Sequence, residues 1–347
     1  MQKKARIIAF YLPQYHPIPE NNQWWGEGFT EWTNVTKAKP LYKGHYQPNL
    51  PADLGFYDLR LSEAREAQAA LAKEHGIEAF AYWHYWFGNG KRLLERPFNE
   101  VIKSGKPDFP FCLAWANQSW TGIWHGAANK TLIQQTYNGI KDYQDHFYHL
   151  LEAFNDKRYL RIKNKPVFLI YSPQDIPDLR LFADTWQELA VKENLNGFYF
   201  ISITVNPKKF ALDAFVQHAP ILHKNLKISW LQNQKKRWLN LPEIHPYKNY
   251  VEAAQQQPLL PNEYPLVLPN WDNTPRSGSQ GLVYSNATPQ LFGEHLRNAI
   301  AKIQNRKDED QKIIFLKSWN EWAEGNYVEP DTKFGKQWLE TIKQIIY

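Results

Sequence analysis

The sequence predicts an α/β fold, a (β/α)8 barrel of TIM type, with long insertions after strands 1 and 6. Eight short apolar runs recur along the 347 residues, most of them ending in aromatic or polar residues. Their near-continuous hydrophobicity means burial on both faces, as in a parallel sheet covered by helices. Amphipathic stretches lie between most of them, and strand alternating with helix to a count of eight is the barrel signature.

The first run, Arg6 to Leu12, is stopped by Pro13, and an excursion over 13–53 follows. Leu59 to Glu74 carries Ala and Leu at helical spacing and ends at Gly76. Ile77 to Trp86 is the second run and Phe109 to Asn117 the third. A helix over Asp142 to Phe154 leads to the fourth run, Lys165 to Ser172, and one over Leu179 to Glu193 to the fifth, Gly197 to Val205. Only a loop's length separates that run from the sixth, Leu212 to His218, so this crossover lacks room for a helix. His223 to Tyr264, polar and containing Trp and Pro, reads as a lid or acceptor-side excursion before the seventh run, Pro265 to Trp271. A helix over Pro289 to Asn305, the eighth run, Ile313 to Trp319, and a helix over Phe334 to Ile346 complete the series. No Pro/Ser linker, low-complexity tract or solenoid period intervenes, so one domain over 1–347 is expected.

Composition narrows the function classes. Fifteen Trp, nineteen Tyr and nineteen Phe exceed the needs of a core, and many lie beside polar residues at strand ends, where rings line clefts. The net charge of +6 suits a solvated surface, and also an anionic partner such as a phosphorylated sugar donor or an acidic membrane surface. No basic tract is interleaved with a nucleic-acid motif; the densest cluster, Lys235-Lys236-Arg237, reads as a charged loop. The lone Cys112 excludes an internal disulfide and reads as a buried strand thiol. The apolar run after the basic start is too short for a signal-peptide core, so a cytoplasmic protein is expected. Asn117-Gln118-Ser119 is then a coincidental match to the N-glycosylation pattern. There is no Walker loop, no dinucleotide fingerprint, no His-Glu-x-x-His and no Gly-x-Ser-x-Gly elbow, and no cofactor or metal is expected.

Active sites of such barrels sit at the C-terminal ends of the strands. The eighth run delivers Trp319, Asn320, Glu321 and Glu324, two carboxylates three residues apart among indoles and before Gly325. Carboxylate pairs supply acid and base for acetal chemistry, and indole faces platform sugar C–H groups. If the chain turns helically there, both acids share one face; if it stays extended, they point apart. Within Tyr82-Trp83-His84-Tyr85-Trp86, alternation sends His84, Tyr82 and Trp86 one way and Trp83 and Tyr85 the other, and one set lines the cleft. His84 is a cleft candidate, with a satisfied core histidine as the alternative. Trp115, Asn117 and Trp124 follow the third run and Tyr171 ends the fourth; Asn117 suits sugar hydroxyls, whereas the tryptophans form subsites or pack a loop. The first run leads into Tyr11, Tyr15 and His16, and its excursion carries Trp25, Glu31 and Trp32. The seventh brings Trp271, Asp272 and Arg276, where Arg276 either pairs with Asp272 or neutralises a donor phosphate.

Four stretches resemble one family: Ala9-Phe10-Tyr11-Leu12-Pro13-Gln14-Tyr15-His16-Pro17, Trp25-Gly26-Glu27-Gly28-Phe29-Thr30-Glu31-Trp32, Asn270-Trp271-Asp272-Asn273-Thr274-Pro275-Arg276 and Trp319-Asn320-Glu321-Trp322-Ala323-Glu324-Gly325. They look like the WbsX family, bacterial proteins encoded with surface-polysaccharide genes and described as glycosyltransferases. More distantly they resemble the endo-α-mannosidases of glycoside hydrolase family 99, which are (β/α)8 barrels. The resemblance implies that Glu321 is the base assisting the sugar's own 2-hydroxyl, through a 1,2-anhydro intermediate with net retention. It implies that Glu324 is the acid on the leaving oxygen, and such an acid needs a raised pKa. Ala323 stands where those hydrolases usually carry histidine, a departure at the leaving-group or acceptor side.

The expected function is a retaining glycosyltransferase of O-antigen or capsule assembly. Its partners are a glycan acceptor and a sugar donor, a nucleotide sugar among the candidates, with peripheral contact at the inner membrane through a lipid-linked glycan. The alternatives are a family 99-like endo-α-glycoside hydrolase and a non-catalytic glycan-binding barrel.

Overall fold

The computed structural model describes residues 3–122, 127–203, 212–217 and 238–347, with 127–130 as backbone only. Eight parallel staves form: β1 (Arg6–Tyr11), β2 (Ile77–Trp86), β3 (Phe111–Trp115), β4 (Lys165–Ile170), β5 (Tyr199–Ser202), β6 (Ala214–Val216), β7 in two pieces (Glu263–Tyr264 and Leu266–Val267) and β8 (Ile313–Leu316). They pair in the order β6-β5-β4-β3-β2-β1-β8, with the first piece of β7 on β6 and the second on β8. The ring closes through the chain itself at Pro265, which has no N–H to give a ladder. Its carbonyl still accepts from the Phe315 amide at 3.0 Å. The predicted barrel is thus observed, with staves shorter than most apolar runs because the residues beyond each strand turn into loops at the mouth.

The helices are α1 (Pro19–Trp25), α2 (Glu31–Lys37), α3 (Ser62–Glu74), α4 (Arg96–Ser104), α5 (Ile140–Asn155), α6 (Leu179–Lys192), α7 (Tyr247–Gln256), α8 (Thr274–Ser277), α9 (Pro289–Ile303) and α10 (Gln337–Ile346). The five expected helices appear as α3, α5, α6, α9 and α10. Two crossover helices were not anticipated. Helix α4 opens on Pro97 and stops at left-handed Gly105, too short to show a long period. Helix α7 falls inside the stretch 223–264 read as a lid. Its Tyr247 and Tyr250 are buried with Leu268, Trp271 and Tyr284, so this part is a barrel wall. Just before it, Glu243–Pro246 pairs in parallel with Leu282–Ser285. The fifth crossover and Lys235-Lys236-Arg237 lie outside the described residues. Among the described residues no helix is long and apolar enough to cross a membrane.

Strand alternation sorts the aromatic runs into two layers. Phe10 stacks on Trp83 at 5.0 Å and on Phe315 at 5.6 Å, within the barrel. The opposite set faces the helices: His84, Trp86 and Trp115 pack against His146 of α5, and Trp115 also against Phe182 of α6. His84 Nε2 lies 2.8 Å from His146 Nε2. Burial holds both rings well below the usual histidine range, so both are neutral, one donating and one accepting. His84 is therefore a satisfied core histidine and not a cleft residue.

Candidate active site

A cavity of about 710 Å³ opens at the strand ends, within the usual range of ligand pockets. Its floor is the inward row: Leu12 after β1, Trp83 and Tyr85 of β2, Ala116 after β3, Tyr171 after β4 and Lys317 after β8. The first excursion supplies Trp25, Phe29, Glu31 and Asn34, and the loop after β7 supplies Trp271, Asn273 and Arg276. Glu321 and Glu324 complete it.

The local fold of the last loop explains how both acids reach one cavity. The Ser318 hydroxyl accepts from the amides of Asn320 (3.1 Å) and Glu321 (3.0 Å), which turns the chain just past β8. Asn320–Glu321 pairs antiparallel with Asn326–Tyr327, and a single 3-10 turn, Trp322–Glu324, joins them. The helical alternative for the acid pair is thus the one that forms. The turn ends at Gly325, with φ of 54° in the left-handed region. A Cβ there would lie 2.8 Å from the Asp272 backbone nitrogen and 3.0 Å from its carbonyl oxygen. The Asp272 amide meanwhile donates to the Glu324 carbonyl at 2.7 Å. Both the φ and the backbone contact demand glycine. Gly325→Ala is expected to cost about 2 kcal/mol or more, read as a lower midpoint in urea unfolding; an unchanged midpoint would refute the wedge.

Beneath the loop a second carboxylate is fully buried. Glu329 accepts from Trp322 Nε1 (2.6 Å), Gln68 Nε2 (2.7 Å) and the Tyr57 hydroxyl (2.8 Å). Burial pushes its pKa up to about 7 despite those donors. The network anchors the acid-bearing turn to α3 and, through Tyr57, to the segment that leads into it.

Arg276 stands at the centre of the reactive groups. Its Nη2 lies 3.1 Å from Glu31 Oε2 and 3.4 Å from Glu321 Oε2, and its Nη1 lies 2.6 Å from Glu324 Oε1. Burial works against its charge, but Glu31, Glu324 and Glu321 outweigh that and hold the guanidinium protonated. For Glu321, burial and then the charge of Glu324 push the pKa up to about 7, against the pull of Arg276 and Lys317. Glu321 is thus a raised carboxyl of the pair. Burial, followed by Glu321, raises Tyr85, and burial, followed by Glu324 and Glu321, pushes Tyr171 up to about 12. Both phenols stay protonated and can donate to a ligand.

Of the residues nominated from the sequence, Trp25, Glu31, Tyr171, Trp271, Arg276, Glu321 and Glu324 line the cavity. The others hold it together from behind. Tyr11 points outward and donates to Gln68 Oε1 at 2.6 Å. Tyr15 packs on Trp32 and Tyr57, its hydroxyl bonded to the Asn320 carbonyl, and the Trp32 indole donates to the Tyr57 carbonyl at 2.8 Å. His16 is buried away from the cavity. Trp115 donates to the Trp86 carbonyl at 2.9 Å, and buried Trp319 packs on Phe80. Asn117 and Asn320 are backbone staples between strand ends. Asn117 bonds the Ser172 carbonyl (2.7 Å) and amide (2.8 Å), and Asn320 bonds the Leu12 carbonyl (3.0 Å) and amide (2.8 Å). Asp272 does not pair with Arg276. It caps the amide of Thr274 at 3.0 Å and turns away to His45 Nε2 (2.6 Å) and Gln47 Nε2 (2.7 Å). Trp124 and His125 lie outside the described residues. Trp83, Tyr85 and Lys317 were missed; strand alternation named the first two as a set but did not say which set faces in. Among the described residues no group of three or more His, Cys, Asp or Glu is placed to hold a metal ion.

Known proteins share this architecture. A solved structure described as a glycoside hydrolase-like protein superposes with a TM-score of 0.61 at 15% identity, over 100% of this chain and 94% of its own. The family 99 endo-α-mannosidase of Bacteroides thetaiotaomicron superposes at 0.58 and 15% identity, over 100% and 97%. At these identities the likeness establishes the barrel fold alone. In sequence, the uncharacterized protein WxcX of Xanthomonas campestris pv. campestris is 35% identical over 350 aligned positions, 99% of this chain. The chain spans about half the length of that relative, 50%. The family model for Glycosyltransferase WbsX matches residues 7–342. With nearly the whole chain matched, the protein belongs to the WbsX family.

Proposed function

We propose that the protein is a retaining glycosyltransferase of bacterial surface-polysaccharide assembly, working through Glu321 and Glu324. The observation that carries the reading is one guanidinium bonded to both acids in a cavity floored by Trp83, Tyr85 and Tyr171. Glu321 takes the proton of the sugar's 2-hydroxyl as that oxygen attacks the anomeric carbon. The bond to the leaving oxygen breaks, and Glu324 protonates that oxygen. An acceptor hydroxyl, deprotonated by Glu324, then opens the 1,2-anhydro ring, and O2 regains its proton from Glu321. Two displacements at one carbon give retention.

Such a cycle needs one proton shared between two carboxylates near neutrality. Burial beside Glu324 supplies it by raising Glu321 to about 7. Arg276, bonded to both acids, can stabilise whichever is ionised when substrate arrives. Hydrolysis at the same site is the second reading, favoured by the glycosidase-like barrel and by the absence of any nucleotide fingerprint.

Mass spectrometry of a lipid-linked or soluble glycan pool separates the two. The pool is incubated with protein, with and without nucleotide sugars, beside a Glu324→Gln control. A donor-dependent gain of one sugar mass, lost in the control, is the expected result. Donor-independent fragments would make the enzyme a hydrolase.

A further inference from the structure

Lys317 presents its amine to the cavity. It follows β8 on the same inward row as Phe315 and forms part of the cavity floor, only 4% exposed. Among the described residues its ammonium makes no hydrogen bond and no ion pair; its one close partner is the Trp271 ring, with Nζ 5.7 Å from the centroid. Half-buried Lys302 shows the usual solution, donating to the carbonyls of Ala254 (2.5 Å) and Gln257 (2.7 Å). The amine is not among the sealed polar atoms without a partner, so it opens onto the cavity, where water or a ligand oxygen completes it. Glu321 feels its charge but is not within pairing distance.

We propose that Lys317 is a substrate-contacting residue, donating a charge-assisted hydrogen bond to one hydroxyl of the sugar ring seated at Glu321. The inference rests on the site reading above and adds a specificity element to it. A ligand oxygen completes the lysine, so a sugar lacking that oxygen leaves a buried cation unpaired. Sites of this kind discriminate strongly between an alcohol and its deoxy analogue.

The test uses tryptophan-fluorescence titration of the protein with methyl α-glycosides of manno, gluco and galacto configuration and their monodeoxy forms. Wild type is compared with Lys317→Met and Lys317→Arg. Lys317→Met is expected to weaken the parent glycoside about 10- to 100-fold. One deoxy analogue should be comparably weak on wild type and no weaker on the Met variant, the coupling of a double-mutant cycle. Lys317→Arg should restore part of the loss. The Met variant should unfold near the wild-type Tm, because the side chain keeps its bulk and no hydrogen bond or ion pair to the described residues is lost. Uniform weakening of every analogue, a lowered Tm, or no binding of any glycoside would overturn the proposal. Selective binding without turnover would sink the enzyme reading and leave Lys317 standing. Turnover with no hydroxyl coupled to Lys317 would do the reverse.

Discussion

Glu324→Gln should lose roughly 10²- to 10⁴-fold in turnover at an unactivated glycosidic oxygen, yet retain most of its first-turnover rate of fluoride release from the fluoride of the same sugar. Fluoride leaves without needing a proton, so removal of the acid goes unnoticed in the first step. Glu321→Gln should lose activity on both donors, since neither can form the 1,2-anhydro ring without the base. Single-turnover release of the leaving group by the two variants on the two donors decides the roles. The reverse pattern would assign the acid to Glu321, the group that burial raises to about 7 in the free protein. Glutamine keeps the size of each side chain, so the turn over Trp322–Glu324 should survive both changes.

Arg276→Met is expected to be the most damaging single change to stability. It would leave Glu31, Glu321 and Glu324, all at most 8% exposed, facing one another without a counter-charge. Breaking a buried ion pair from one side typically costs about 3–5 kcal/mol. The pH dependence has a definite sign. A carboxyl whose folded pKa lies above its unfolded value binds more protons in the native state, so stability falls as pH rises between the two values. Glu321 and Glu329, both raised from 4.5 to about 7, already give the wild type this slope. The Met variant should steepen it, most destabilised above pH 7 and closest to wild type near pH 5. Thermal unfolding across pH 5–8 checks this; a deficit independent of pH would mean the guanidinium acts by packing alone.

The acid pair, Glu31 and Arg276 were legible because each is a polar residue in a short aromatic context next to a strand end. The barrel was legible because eight apolar runs leave few other architectures. The cavity floor was not. In Tyr82-Trp83-His84-Tyr85-Trp86 both faces are buried, so no polar–apolar contrast tells inside from outside. Choosing His84, like Tyr11 on β1 and Trp115 on β3, is a one-residue error that exchanges the whole row for its opposite. Trp83 and Tyr85 were lost by it, whereas Lys317 was passed over for the residues just after it. Asn117 and Asn320 misled for another reason: an amide satisfied by two backbone groups looks the same in sequence as one aimed at a sugar. The Glu329 anchor joins Tyr57 and Gln68 across more than 260 residues, a separation at which sequence carries no signal.

The cluster around Arg276 also limits how this barrel can be remodelled by evolution or in the laboratory. Its members are contributed by α2, by α8 and by the turn after β8. The excursion after β1 therefore cannot be swapped between relatives as an independent cassette, because it carries one of the three carboxyl groups on Arg276. A chimera that imports another loop without an acid at Glu31, or that keeps Glu31 and replaces Arg276, inherits an unbalanced core of charge. Recombination that respects the boundaries of the rim alone, leaving these two positions together, is where the lining of the cavity can drift freely.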